Sequence, residues 1–289
     1  MFGSHVSIES TLGSTLAKAS QQGMTAVQVF MGSPYNLNRK QLTSKDIQNV
    51  NDTYPSIQVF THLPYVYNYA GQAKNNSIAY QSDEDATKYV LDCAAATQRE
   101  LQTLHPLKCS CKGCVLHIGS IGKHKDRQAG LNAVARSINS INFDNISTPL
   151  LLETMVGRGG VLGTSFEELG SVYSQVERKE QVGFYIDTCH IHSNGSYDLS
   201  TVEGVESMFR DFDSVLPRDS LKLIHLNDSR TELGSNQDKH ECIGKGSIWN
   251  ESLDSLKLVC QIAKSRNVPV VLETTVEDFQ VLNELVKKL

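Results

Sequence analysis

The most informative feature of this 289-residue chain is a set of nine imidazole and carboxylate side chains spread over most of its length. Histidine nitrogens and carboxylate oxygens are donors that zinc and related divalent ions accept readily. Five of the chain's nine histidines belong to the set, which therefore uses most of the available imidazole. The chemistry that these side chains predict is the binding of divalent metal ions. The nine residues are His62, His117, Glu153, Asp187, His190, His225, Asp238, His240 and Glu273.

Short apolar strands that alternate with helix-length segments must position these side chains. Eight runs rich in β-branched and aromatic residues are predicted as strands, at 2–6, 26–30, 57–61, 115–118, 150–153, 182–187, 221–226 and 270–273. Helices are predicted at 14–22, 82–104, 128–141, 165–179, 201–215, 252–266 and 276–288, with Gly23 and Asn267 as left-handed residues after two of them. A (β/α)8 barrel typically takes about 250 residues. We therefore predict an α/β fold, a (β/α)8 TIM barrel that forms one domain over residues 1–289.

Several predicted strands end on a polar residue that follows an otherwise apolar run. Strands of a parallel barrel are buried on both faces, so a carboxylate or imidazole there needs a compensating partner. Metal ions shared at the C-terminal mouth of the barrel, where such folds carry their active sites, would supply that partner. The strand-end residues are His5, His62, His117, Glu153, Asp187, His225 and Glu273.

Two short motifs place further candidates near the strand ends. In DTCH, Asp187 and His190 are three residues apart, which lets one turn aim both at a common pocket and is also the spacing of a helix cap. In SNQDKHECIGKG, Asp238 and His240 point the same way from an extended chain, although either pair alone also suits an ordinary polar surface. His192 is placed outside the set as a loop histidine.

Two glutamates occur in the same local pattern. Glu153 and Glu273 each follow an apolar strand and precede a threonine. Either carboxylate also suits a helix N-terminus, but the repetition favours a common ligand role. The glycine-rich stretch 157–163 lacks the lysine and hydroxyl of a phosphate-binding P-loop, and we expect it to form tight turns beside the site.

The composition fits a soluble globular enzyme. Hydrophobic residues are 39% and charged residues 20% of the chain. No apolar run approaches the roughly 18 residues of a membrane span, and the start lacks the regions of a signal peptide, so we expect an intracellular protein. The formal charge of -5 includes four candidate ligand carboxylates. Three divalent ions would add about six positive charges, so the negative count does not exclude a polyanionic partner.

The seven cysteines show no disulfide framework, and without an export signal they predict reduced thiols. Cys109, Cys111 and Cys114 cluster just before His117. They hold a metal, form a reversible disulfide or lie as free thiols in a surface loop. The lack of a second CxxC pair favours the surface loop.

With these motifs assembled, the chain resembles the endonuclease IV family of apurinic/apyrimidinic endonucleases. The resemblance runs from HVS at the start to LETT near the end and rests on DTCH, HLNDS and GSxxDxHxxIGxG in that order. It implies three zinc ions per chain, with Mn²⁺ possible at one site. One ion would take His62, His117 and Glu153; a second would share Glu153 and add Asp187, His225 and Glu273; the third would take His190, Asp238 and His240.

The resemblance also implies an activity. Zinc lowers the pKa of bound water toward about 7, so water can attack phosphorus at neutral pH. The expected reaction is hydrolysis 5' of an abasic site in double-stranded DNA, leaving a 3'-hydroxyl and a 5'-deoxyribose phosphate, together with 3'-end repair phosphodiesterase or exonuclease activity. Glu153 and Glu273 are the candidate catalytic residues, and Glu273 also orients or deprotonates the nucleophile. The protein would act as a monomer in base excision repair of DNA damage, in the cytoplasm or associated with DNA.

Candidate DNA contacts follow from the same resemblance. Tyr65 and Val66 match the family position whose bulky side chains enter the base stack, and packing at the barrel rim is the alternative. The family commonly carries an arginine near Pro34, where this chain has Tyr35 nearby and Arg39 farther on. Phosphate contacts, or ordinary solvated charges, are Lys123, Lys125, Arg127, Arg230 and Lys245.

Two other functions remain open. Xylose-isomerase-like sugar isomerases and epimerases share the architecture and use similar ligands, so fold alone cannot separate them. A one- or two-metal isomerase does not need the group formed by His190, Asp238 and His240. A non-catalytic damaged-DNA-binding protein with structural zinc is the second alternative.

Overall fold

A closed barrel of eight parallel strands forms the centre of the molecule, in a computed structural model that describes residues 1–71, 83–107, 111–122 and 126–287. Around the barrel the strands follow the order β1-β10-β7-β6-β5-β4-β3-β2, and β8 and β9 form a separate antiparallel pair. The predicted parallel barrel is therefore confirmed, while the assignment of the chain to one domain stays a prediction. The strands are β1 (Phe2–His5), β2 (Ala26–Phe30), β3 (Gln58–His62), β4 (Cys111–Leu116), β5 (Leu150–Glu153), β6 (Val182–Asp187), β7 (Leu221–His225), β8 (Asp228–Ser229), β9 (His240–Glu241) and β10 (Val270–Leu272).

Helices lie between the barrel strands and cover the outside of the sheet. They are α1 (Leu12–Gln21), α2 (Ser44–Thr53), α3 (Asp83–Leu104), α4 (Arg127–Asn139), α5 (Phe166–Gln175), α6 (Thr188–Ser193), α7 (Val202–Val215), α8 (Asp254–Ser265) and α9 (Val276–Val286). Helices α2 and α6 were not predicted, because α2 buries only Val50 and α6 has six residues. Over the described part of the chain, no helix is long and apolar enough to cross a membrane.

The barrel interior is built from a layer of apolar side chains. Because side chains alternate between the two faces of a strand, the residues two places further along also point into the barrel. Seven strands thus carry an apolar residue at one level and a polar residue two positions later, and β1 adds His5 beside Gln28 of β2. The apolar layer is Ala26, Phe60, Val115, Leu151, Tyr185, Leu223 and Val271. The polar ring above it is His5, Gln28, His62, His117, Glu153, Asp187, His225 and Glu273.

Strand β4 begins earlier than the sequence indicated and changes the interpretation of the cysteine cluster. Cys111 and Cys114 lie in this strand and are buried free thiols, so their placement in a surface loop is wrong. Cys109 lies outside the described residues. The two predicted left-handed positions are confirmed, with φ of 82° at Gly23 and 55° at Asn267.

Candidate metal centre

All nine predicted ligands come together at the C-terminal mouth of the barrel. They form overlapping groups of three in which the potential donor atoms lie within 4.8 Å of one another. Six of the nine belong to the polar ring, and the other three come from α6 and from the loop after β7. The groups are His62, His117 and Glu153; Asp187, His225 and Glu273; His190, Asp238 and His240; Glu153, Asp187 and His190; and Asp187, Cys189 and His240.

The first group surrounds the carboxylate of Glu153. Oε2 of Glu153 lies 2.5 Å from Nε2 of His117 and 3.6 Å from Nε2 of His62. Nδ1 of the His62 ring lies 2.6 Å from the Leu63 carbonyl, which accepts a hydrogen bond from that nitrogen and leaves Nε2 free to face the centre. Burial alone would raise the pKa of Glu153, but the nearby imidazoles of His117, His190 and His62 hold it well below its usual value. Glu153 is therefore an anion in the interior.

The second group lies between β6, β7 and β10. Nδ1 of His225 is 3.1 Å from Oε2 of Glu273 and 3.6 Å from Oδ2 of Asp187. The buried Asn227 donates from Nδ2 to Asp187 at 2.7 Å and to Glu273 at 3.3 Å. This amide holds the two carboxylates next to each other, although their charges repel.

The third group joins α6 to the loop after β7. Nε2 of His190 is 3.3 Å from Oδ2 of Asp238, whose Oδ1 is 3.2 Å from Nε2 of His240. Asp187 caps α6 by accepting the backbone N–H of His190 at 2.9 Å, so this residue acts both as a helix cap and as a member of the centre. Nδ1 of His190 donates to the Thr154 carbonyl, which leaves Nε2 available.

Asp228 fixes the loop that carries Asp238 and His240. Its buried carboxylate accepts four backbone N–H groups, at 2.8 to 3.1 Å, from residues 229, 244, 246 and 248. The pairing of β8 with β9 then places His240 opposite Ser229. The loop segments 228–229 and 240–248, which carry part of the third group, are thereby held together.

The chemistry of the centre fits divalent metal ions. Donors of a tetrahedral zinc site, at about 2.1 Å from the metal, stand about 3.4 Å apart. The contacts of the second and third groups span 3.1 to 3.6 Å. Among the described residues, Oε2 of Glu153 and Nε2 of both His190 and His240 are buried without a hydrogen-bond partner. Such unsatisfied atoms cost about 1–3 kcal/mol each, and metal ligation would remove that cost.

Comparison with known proteins agrees with this geometry. Residues 16–254 match the family described as xylose isomerase-like TIM barrels. A relative from Methanosphaera stadtmanae, named probable endonuclease 4, is 31% identical over 94% of this chain and 92% of its own length. The chain belongs to the endonuclease IV family.

Solved structures share the fold of this endonuclease IV family member at lower identity. Endonuclease IV from Thermus thermophilus has a TM-score of 0.76 and 22% identity, covering 99% of this chain and 97% of its own. A D-tagatose 3-epimerase-like protein has a TM-score of 0.66 and 19% identity, covering 99% and 96%. Both likenesses concern the fold alone, and the second shows that the same barrel also occurs in an epimerase-like protein.

Two exposed tyrosines stand beside the candidate metal centre of this family member. The Tyr35 side chain is 74% exposed and Tyr65 is 44% exposed, and their ring centroids are 6.2 Å apart. The Tyr65 backbone N–H donates to the Pro34 carbonyl, which ties the loops after β2 and β3 together. Val66 is partly buried against the core, and its entry into the base stack stays a prediction.

Arg39 does not lie on a surface that DNA can reach, so its assignment as a DNA contact is wrong. The side chain is 3% exposed, and its Nε lies 2.5 Å from Oε2 of Glu100, which is 1% exposed. The guanidinium also donates to the carbonyls of Ser33 and His62. Arg39 therefore connects the end of β3 with the loop that carries Tyr35.

Removing this buried charge is expected to destabilise the protein. Arg39→Met leaves the Glu100 carboxylate buried without its partner, which should cost about 3–5 kcal/mol in the free energy of unfolding. Burial already raises the pKa of Glu100, and losing Arg39 raises it further. The loss of unfolding free energy in Arg39→Met should therefore become smaller as the pH falls, because the Glu100 carboxyl takes up a proton.

Urea unfolding at pH 8 and pH 5 measures both effects. Arg210→Met is the matched control, since Arg210 is 69% exposed and its pair with Asp211 contributes about 0–1 kcal/mol. Equal stabilities for the Arg39 variant and the control would contradict the role given to the buried pair.

The remaining candidates for phosphate contacts are Lys123, Lys125, Arg127, Arg230 and Lys245. Arg230 is 63% exposed and paired with Glu241 at 3.1 Å, and Lys245 is exposed. Arg127 is paired with Glu168. Lys123 and Lys125 lie outside the described residues. Contacts of these side chains with DNA stay a prediction.

Three polar residues of the site, Gln28, Asn227 and Asp228, were not predicted. Gln28 is completely buried in the polar ring, although β2 ends on Phe30. Asn227 and Asp228 follow His225 in HLNDS and organise the carboxylates and the loop. The two-residue period from Ala26 would have identified Gln28. His192 belongs to none of the groups among the described residues, as predicted, but it is buried in α6 rather than placed in a loop.

Proposed function

We propose that this protein hydrolyses the phosphodiester bond 5' of abasic sites in double-stranded DNA, leaving a 3'-hydroxyl and a 5'-deoxyribose phosphate. The observation that carries the proposal is the convergence of nine donors, including the third group of His190, Asp238 and His240. Membership of the endonuclease IV family supports it. We include 3'-end phosphodiesterase or exonuclease activity and action as a monomer in the proposal.

Three zinc ions are the proposed cofactor, with Mn²⁺ as a possible substitute at one site. Five imidazoles and four carboxylates form a donor set suited to zinc. When bound, such ions activate water and stabilise negative charge on phosphate oxygens. The proposed grouping assigns His62, His117 and Glu153 to one ion; Glu153, Asp187, His225 and Glu273 to a second; and His190, Asp238 and His240 to a third.

Glu273 is the proposed proton acceptor. Burial alone would raise its pKa, but the nearby imidazoles of His225 and His5 hold it well below the usual value. The side chain is 13% exposed, so one edge of the carboxylate can meet solvent or substrate. Glu273 is therefore ionised at neutral pH and can orient water from its exposed edge, while Glu153 remains a fully buried anion between the histidines.

Tyr35 and Tyr65 are the proposed elements that recognise the abasic nucleotide. An abasic nucleotide lacks the base stacking that resists extrusion, so flipping it out costs less than flipping a normal nucleotide. Two exposed aromatic rings beside the centre offer surfaces on which neighbouring bases can stack. Base stacking on an aromatic ring contributes about 1–3 kcal/mol.

Truncating Tyr35 tests this part of the proposal. We expect Tyr35→Ala to weaken binding of an abasic duplex by about 5- to 150-fold, the equivalent of 1–3 kcal/mol, without changing zinc content. Fluorescence anisotropy with matched abasic and intact duplexes measures the effect. Leu91→Ala, at a side chain 53% exposed on the outer helix α3, is the control. Unchanged discrimination between the two duplexes would exclude Tyr35 from recognition.

Cleavage of a synthetic duplex with one abasic site tests the central proposal. The zinc-loaded protein should nick the abasic strand and give a 3'-hydroxyl that a polymerase can extend. Turnover of a ketose with no nicking would instead establish a sugar isomerase or epimerase. Tight abasic binding with no nicking at full metal occupancy would establish a non-catalytic damage-binding protein.

A further inference from the structure

Gln28 occupies a position in the polar ring where six of the other seven members are proposed metal ligands. It lies on β2, is completely buried and stands beside His5 in the register between β1 and β2. A glutamine is a poor zinc ligand compared with imidazole or carboxylate. A buried amide at this level must therefore act through its neighbours, and each of its polar atoms has a partner.

The amide of Gln28 connects three members of the ring. Its Oε1 lies 2.8 Å from Nε2 of His225, and its Nε2 lies 3.0 Å from Oε1 of Glu273 and 2.9 Å from Nδ1 of His5. The carboxylate of Glu273 can only accept a hydrogen bond, so the NH₂ group of the amide must face it. This fixes the amide oxygen toward His225, and the opposite orientation would place two acceptors against each other.

The orientation of the amide determines which ring nitrogen of His225 carries the proton. An amide oxygen accepts, so Nε2 of His225 must be protonated to bond it. Metal ligation leaves one proton on the ring, so Nδ1 is then the unprotonated nitrogen, and it faces Asp187, Glu273 and the Tyr185 hydroxyl. His225 is completely buried, and in the described part of the chain Gln28 is the only hydrogen-bond partner of its Nε2.

We propose that Gln28 is a positioning residue that holds His225 with its proton on Nε2 and orients the carboxylate of Glu273, so that both present their free donors to the second metal ion. The inference rests on the proposed function, because it assigns a metal to the group formed by Asp187, His225 and Glu273. Hydrogen-bonded neighbours of metal ligands commonly set ring tautomer and affinity in this way. Gln28 thereby links β2, which supplies no ligand, to the centre.

Ring nitrogen chemical shifts of His225 test the proposal directly. In ¹⁵N-histidine-labelled, zinc-loaded protein, we expect a protonated Nε2 and a metal-bound Nδ1. Gln28→Met has a similar length but neither accepts nor donates a strong hydrogen bond, and it should abolish this pattern. Gln28→Glu keeps an acceptor facing His225 and should retain the Nε2 proton. Tyr185→Phe removes the hydroxyl that lies 2.9 Å from Nδ1 and should also retain it.

Zinc release to a chromophoric chelator is the second measurement. We expect Gln28→Met to release one ion about 10- to 100-fold faster than the wild-type protein, while the others stay bound. Val29→Ala, on the outward face of the same strand, is the matched control for loss of packing, since Val29 is buried in the outer core and, among the described residues, belongs to none of the candidate metal groups. It should release zinc at the wild-type rate.

The outcomes separate this inference from the proposed function. A wild-type protein that takes up no zinc overturns both. A wild-type protein that holds zinc, with an unchanged His225 pattern and unchanged zinc release in Gln28→Met, overturns only the role of Gln28. Loss of the pattern in Tyr185→Phe but not in Gln28→Met would assign the tautomer to the tyrosine and likewise overturn it.

Discussion

Replacing Glu273 with Gln should lower the cleavage rate of an abasic duplex by about 10²- to 10⁴-fold, the usual contribution of a general base. The substitution keeps the size of the side chain and removes its charge and its basicity. The amide that replaces the Glu273 carboxylate cannot accept a proton from water. It also has only one acceptor oxygen, whereas the carboxylate has two, one of which accepts from the NH₂ group of Gln28. Binding of the duplex should change little, because Tyr35 and Tyr65 remain in place.

Single-turnover cleavage, with zinc content measured on the same sample, separates proton transfer from ligand loss. Glu277→Gln is the matched control, since Glu277 is exposed in the first turn of α9, four residues along the chain. It should leave the rate unchanged. A Glu273 variant that cleaves as fast as the wild-type protein would remove this residue from the mechanism. A slow variant with one ion missing would show that Glu273 acts mainly as a ligand.

The ring of polar residues could be predicted because the barrel imposes a simple rule on the sequence. A strand that is buried on both faces is almost entirely apolar, so Glu153 and Asp187 stand out where β5 and β6 end. Parallel strands bring their C-terminal ends to one face, so ligands from different strands converge whatever their distance in sequence. Three of the eight strands have the bounds that the sequence predicted.

The connections between these residues could not be predicted in the same way. Arg39 and Glu100 are 61 residues apart, and nothing in the local sequence of either indicates that they form a buried pair. Arg39 was proposed as a counterpart of the family's loop arginine, and a charged residue in a polar loop is most often exposed, but this one is buried. Cys111 and Cys114 were misplaced for a related reason, since a lysine and a glycine between them conceal the start of β4.

The position of the third group depends on loop geometry rather than on strand periodicity. Asp238 lies outside any strand, in the loop that is held by the four backbone N–H groups bound to Asp228. Such a bond pattern requires a folded loop and has no signature in composition. The sequence showed that DKH accompanies DTCH, while the carboxylate that brings them together became visible only in the structure.

Removal of the metal ions should have the second large effect, a loss of both activity and stability. Without cations, the Asp187 and Glu273 carboxylates face each other across Asn227 in the interior, and the buried donor atoms described above lack partners. A ligand present at about 1,000 times its dissociation constant stabilises the folded state by about 4 kcal/mol. Loss of the three proposed ions should therefore lower the melting temperature substantially.

Chelation should nevertheless proceed slowly, because Glu153, Asp187, His190 and His225 are at most 2% exposed and a chelator must wait for the site to open. Thermal unfolding with and without chelator, combined with the time course of inactivation, measures the two effects. Restoring zinc after short exposure should restore both activity and melting temperature, which separates metal loss from irreversible unfolding. Immediate inactivation at a low chelator concentration would show that the ions are not buried. An unchanged melting temperature in metal-free protein would show that the ions do not stabilise the folded state. A gradual, reversible loss instead fits ions held by residues of the barrel interior, where the same carboxylates and imidazoles serve the fold and the reaction.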